Sequence, residues 1–151
     1  MMVKHNNKVI LIMESRSQNE ALARTMVAAF IAPLDPGLDI LTDIKTAVSK
    51  AVTNAVIHGY KNCEGEITLA ISLKNGELSI TVSDQGAGIS DTKQAMEPLY
   101  TTTSPEMERA GMGFTVMESF MDSVKVTSSL GQGTTVEMTK NLTKDLKNGT
   151  N

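Results

Sequence analysis

The chain has 151 residues, the size of one compact domain with a real core and too short for two comfortable ones. Its 14 basic and 17 acidic residues give a formal charge of −3, so no broad basic field holds nucleic-acid phosphates and direct DNA or RNA binding is disfavoured. A single cysteine, Cys63, excludes an internal disulfide, and no Cys/His group has metal-ligand spacing.

The N-terminus, MMVKHNNKVILIMES, lacks the cleavage pattern of a signal peptide, and within it KVILIME at 8–14 predicts a short strand. SRSQNEALARTMVAAFIA follows with polar capping candidates and helical spacing, and PLDPG at 33–37 stops that helix. A longer helix is predicted from Leu38 to Ile57, with Ile40, Leu41, Ile44, Val48, Ala51, Val52 and Ala55 on one side and His58-Gly59 closing it. EITLAISLK and ELSITVSD alternate apolar and polar residues around Asn75-Gly76, a hairpin signal. QGAGIS is a glycine-rich exit from the second of these strands. From Asp91 to Ala110 periodicity is lost, which predicts a mobile, functional connection. GMGFTVMESFMD resumes as a helix behind two glycines, and SVKVTSS with GTTVEMTK closes the chain as a strand pair around LGQG.

Helices on one face of a mostly antiparallel mixed sheet make an α/β two-layer sandwich. Residues 1–140 form a single domain in this reading and 141–151 a polar tail. No apolar run is long enough to cross a bilayer, so a soluble, cytoplasmic protein with no membrane partner is expected. With 3% aromatic residues and ten methionines, the core rests on Val, Ile, Leu, Ala and Met, an adaptable packing that also suits a protein-binding face.

Four pieces bear chemistry: AVTNAVIHG on the long helix, DQGAG at 84–88, GMG at 111–113 and GQGTT at 131–135. Each alone reads as a turn. In this order, on these elements and with a long loop between the second and third, they resemble the GHKL nucleotide-binding family, the Bergerat-fold ATPases that include bacterial sensor kinases, type II topoisomerases and mismatch-repair proteins. The residues fit that chemistry. Asp84, ending a strand, can accept a hydrogen bond from an exocyclic amine such as that of adenine, while Gly86 and Gly88 let a flat base approach the backbone. Gly111 and Gly113 precede a predicted helix whose free N–H groups would face phosphates. Asn54 offers a neutral oxygen to Mg²⁺, and Thr134 a hydroxyl to the Asp84 region. Residues 98–110 would form a lid, with Thr103 and Arg109 as nucleotide contacts. No G-x-x-x-x-G-K-[ST] loop and no eukaryotic-type protein kinase motif set competes.

Within that family SQNEALAR at 17–24, DIKTAVSKAVTNAVIHGY and PLYTTTSPEMERAGMGFTVMESFMD look like the sporulation anti-sigma F factors of endospore-forming Firmicutes. That resemblance implies a homodimer that, with ATP or ADP bound, keeps a sporulation sigma factor from core RNA polymerase. It also implies a protein serine kinase acting on a STAS-type anti-anti-sigma factor, and it places Arg24 at the partner-binding surface. One position departs from the family pattern. The helix motif is normally E-x-x-x-N, its glutamate the general base, and here that position is Lys50. An ammonium is a poor base beside phosphates, so the expectation is nucleotide binding with phosphoryl transfer lost or weakened. The lid departs too: TTTSPEMER carries one residue more than the family's usual spacing and no basic residue before the proline.

Overall fold

The computed structural model describes residues 6–60, 64–86, 105–129 and 131–143. Strand β1 (Asn7–Glu14) leads into helix α1 (Asn19–Ile31), a short 3-10 turn at Ala32–Leu34, and helix α2 (Leu38–Asn54). The hairpin β2 (Glu66–Lys74) and β3 (Glu77–Asp84) comes next, then helix α3 (Pro105–Phe120) and the pair β4 (Ser123–Ser129) and β5 (Gly133–Asn141). The five strands lie in the order β1-β2-β3-β5-β4, each pairing antiparallel.

Alternation decides which face is buried. On β2, Ile67, Leu69, Ile71 and Leu73 point inward; on β3, Leu78, Ile80 and Val82 do the same, and β5 adds Val136 and Met138. The helices meet them with stripes at three- and four-residue spacing: Ala23, Val27 and Ile31 on α1, Ile44, Ala47, Val48, Ala51 and Val52 on α2, and Phe114 and Met117 on α3. The other sheet face carries Thr68, Ala70 and Ser72 opposite Ser83, Thr81 and Ser79, with no helix among the described residues packed over it. The architecture is the expected two-layer α/β sandwich. The hairpin turn needs positive φ at both central residues, and Asn75 (52°) and Gly76 (84°) supply it.

Three boundaries differ from the sequence expectation. The second long helix is α-helical only to Asn54, after which Ala55–Gly59 widens into a π-turn closed by the Tyr60 N–H donating to the Ala55 carbonyl at 3.0 Å. The third helix begins at Pro105, so the two glycines placed at its N-terminus lie inside it, and part of the expected loop and lid is helical. Proline suits the first helical position because it has no N–H, and an N–H there would have no intrahelical partner. The rest of the expected lid, 98–104, lies outside the described residues. Finally, the polar tail expected from 141 starts later: Asn141 still belongs to β5, and Leu142 is fully buried with its N–H donating to the Gly76 carbonyl at 2.8 Å.

Candidate functional site

The inward register of β3 runs Leu78, Ile80, Val82 and then, unexpectedly for a core position, Asp84, which is only 6% exposed. Its Oδ1 accepts the Gly86 N–H at 2.8 Å, and the Thr134 backbone across the β3–β5 pairing bonds to the same carboxylate. Burial pushes the Asp84 carboxyl above the ordinary aspartate range, against the pull of those two backbone bonds. An ionised carboxylate has about four acceptor positions, so two N–H groups leave it capacity for a ligand donor. The neighbouring strand crowds in closely. At Gly133, with φ of 86°, a Cβ would sit 2.1 Å from the Asp84 carbonyl oxygen, which is why this position takes glycine.

A second predicted position lies at a contact between α2 and α3. Asn54, the last α-helical residue of α2, buries its Nδ2 without a hydrogen-bond partner among the described residues. A Cβ at Gly113 would stand 2.9 Å from that nitrogen and 3.1 Å from Oδ1, so the glycine inside α3 is what lets the two helices close around the amide. A buried unsatisfied amide costs about 1–3 kcal/mol, a cost a ligand acceptor would relieve. Lys50, one turn before Asn54, is exposed.

Among the other predicted residues, Thr134 differs from expectation in detail. Its backbone serves Asp84, while its hydroxyl pairs with Ser128 Oγ at 2.8 Å. Arg24, half-buried on α1, is ion-paired to Glu20 one turn earlier. Gly111 and Arg109 lie within α3, not before it, so a phosphate cradle at a helix N-terminus formed by Gly111 is not what the fold builds. Gly88, Thr103 and Cys63 lie outside the described residues. Sequence reasoning missed Tyr60, whose hydroxyl accepts the Gln85 N–H at 2.7 Å and donates to the Glu66 carbonyl at 2.6 Å. Nothing in the sequence signals a contact between residues 25 apart. A polar cavity of about 490 Å³, lined among others by Glu14, Arg16, Gln18 and Glu64, includes none of the predicted nucleotide residues.

A family model described as histidine kinase-like ATPase domain matches residues 13–140. The anti-sigma F factor of Bacillus subtilis (strain 168) is 52% identical over 139 residues, covering 91% of this chain and 94% of the relative. That of Clostridium kluyveri is 54% identical over 136 residues, covering 90% and 95%. The chain belongs to the anti-sigma F branch of the histidine kinase-like ATPases. Its fold is also that of the crystal structure of the RsbU and RsbW domains of Rv1364c from Mycobacterium tuberculosis, with a TM-score of 0.63 at 19% identity. That match covers 89% of this chain and 32% of the mycobacterial one, so this chain spans about a third of its length.

Membership in an ATPase family implies a nucleotide site, and the residues present fit one. Asp84 offers acceptor capacity to a purine amine, and the Asn54–Gly113 contact holds an amide in want of a partner. No group of three His, Cys, Asp or Glu side chains forms a metal cage among the described residues. A single neutral amide oxygen suits Mg²⁺, which keeps most of its waters and leans on phosphates for the rest. Among the described residues no helix is long and apolar enough to cross a membrane.

Proposed function

We propose that this member of the family is a nucleotide-gated anti-sigma factor. It binds ATP or ADP between the end of β3 and the α2–α3 contact, and as a homodimer it sequesters the sporulation sigma F factor. By kinase lineage it phosphorylates a serine of a STAS-type anti-anti-sigma factor, which in its unphosphorylated form frees sigma. The observation that supports the nucleotide reading is Asp84: a carboxylate placed where β3 otherwise buries only apolar side chains, held by backbone donors and still able to accept.

In this reading Asp84 takes the exocyclic amine of adenine, and Gly86 and Gly88 keep the adjoining backbone free of side chains. Asn54 holds Mg²⁺ through its amide oxygen, with Gly113 leaving it room. Thr134 steadies Asp84 from the neighbouring strand, and Thr103 and Arg109 serve the phosphate side. Bound Mg-ATP supplies the γ-phosphoryl group with its charge partly neutralised. Arg24 faces the protein partners, its guanidinium steadied by Glu20. Calorimetric titration with ATP and ADP tests the reading. Replacing Asp84 by Asn removes a charged acceptor, a bond worth about 1.5–3 kcal/mol, so affinity should fall about tenfold or more. Unchanged binding in Asp84→Asn would overturn the nucleotide assignment.

A second reading is favoured by Lys50. Transfer to a serine needs an acceptor for the hydroxyl proton, and an ammonium carries donors only. Lys50 is exposed at that turn of α2, and of the two carboxylates that could substitute, Glu14 and Glu20, the second is ion-paired to Arg24. Sigma binding then persists under nucleotide control while kinase activity is lost or weakened.

A further inference from the structure

We propose that Tyr60 is a positioning residue for adenine recognition: its hydroxyl is inserted between β2 and β3 where their ladder ends, and sets the turn that holds Asp84. The inference rests on the nucleotide reading given above.

Register supports it. The two-residue turn at Asn75-Gly76 makes Lys74↔Glu77 a hydrogen-bonded pair, and in an antiparallel ladder such pairs recur every second residue. Counting away from the turn, Ser72↔Ser79, Ala70↔Thr81 and Thr68↔Ser83 follow. The next pair of that kind would join Glu66 to Gln85, with the Gln85 N–H donating to the Glu66 carbonyl. Instead the ladder stops at Ile67↔Asp84, and both groups go to Tyr60: the Gln85 N–H donates to its oxygen at 2.7 Å, and its O–H donates to Glu66 at 2.6 Å. The hydroxyl relays one hydrogen bond of the sheet.

The consequence lies one residue on. With Gln85 held off β2 by the thickness of a hydroxyl, the chain turns, and the Gly86 N–H reaches back to Asp84 Oδ1 at 2.8 Å. Two features deliver the ring. The π-turn at Ala55–Gly59 adds a residue to the last turn of the helix and so changes the direction in which Tyr60 leaves it. Gly65 lies against the ring, since a Cβ there would come within 2.3 Å of Tyr60 Cε1.

Tyr60→Phe keeps the ring and deletes the relay. The test is calorimetric titration of the full chain with ADP and with inosine diphosphate, which lacks the exocyclic amine. In Tyr60→Phe, ADP affinity should fall about fivefold to tenfold, about the effect of losing one hydrogen bond's worth of alignment. Inosine diphosphate affinity should stay near the wild-type value, so the preference for adenine shrinks. Gly65→Ala, which displaces the same ring from the other side, should shrink that preference too and stands in if Tyr60→Phe fails to fold. Equal losses for both nucleotides, or wild-type behaviour in both variants, would overturn the positioning role. Asp84→Asn run alongside separates the two claims: if that variant keeps the adenine preference, the nucleotide reading itself fails.

Discussion

If Asp84 takes the adenine amine as proposed, it puts function and stability in opposition at a single residue. Its folded-state pKa is raised by burial, so between the ordinary aspartate value and that raised value the native state binds more protons than the unfolded one. Its contribution to stability is therefore fully present below the ordinary value and is lost as pH rises through the raised one. Nucleotide binding runs the other way, because the protonated carboxyl gives up acceptor capacity. Asp84→Asn should melt above the wild type at pH 7 without nucleotide, and the gap should close on acidification into the aspartate range, checked by calorimetric melts across pH. A wild-type melting temperature equal to the variant's at pH 7 would mean the buried charge costs nothing. Lys50 is the second residue-scale case. If it replaces the base, Lys50→Glu should raise phosphoryl transfer to the purified anti-anti-sigma factor by about 10²–10⁴-fold, read by intact mass under Mg-ATP. Equal rates in both proteins would place the base elsewhere.

At the scale of elements, what was legible in the sequence was what depends on local pattern. Strand alternation, the Asn75-Gly76 turn and the stripe of α2 each arise from neighbours in sequence, and each stands where it was expected. The start of α3 was not legible, because TTTSP and two glycines argue locally against a helix. Tertiary contact wins there: Gly113 costs about 0.5–1 kcal/mol of helix propensity and in exchange admits the Asn54 amide. The π-turn and Tyr60 were equally hidden, since both are defined by the sheet they meet. For the candidate site, Asp84 and Asn54 were singled out by the motifs they sit in, DQGAG and AVTNAVIHG, and their burial and contacts were not legible. Gly113→Ala tests the exchange. The propensity gain and the clash with Asn54 should nearly cancel in stability, leaving the melting temperature within about 3 °C of wild type. Nucleotide affinity in the presence of Mg²⁺ should still fall about tenfold, the change expected if Asn54 loses a bond worth about 1.4 kcal/mol. Full affinity in that variant would remove Asn54 from the site.

Among the described residues the sheet has one face that no helix covers, and that asymmetry bears on assembly. β1 is an edge strand, and its outward side carries Ile10 and Ile12, which are 58% and 60% exposed. Inward from them the same face is paved with small side chains: Ala70 beside Ile10, Thr68 beside Ile12, then Thr81 and Ser83 on β3. A second copy could lie flat there without meeting bulk. Burying a fully exposed isoleucine is worth about 1.5–3 kcal/mol, and with these two 58% and 60% exposed the four of a symmetric pair supply roughly 3.5–7 kcal/mol. That is comparable with the cost of about 4–15 kcal/mol for fixing two molecules together, so the pair of isoleucines would decide whether the dimer holds. Light scattering after size exclusion should give the wild type a mass twice the chain's 16.2 kDa, and Ile10→Ser with Ile12→Ser a mass near the single value. If the double variant stays dimeric with an unchanged melt, the homodimer uses another surface. If the wild type is monomeric at micromolar concentration, the proposed homodimer fails.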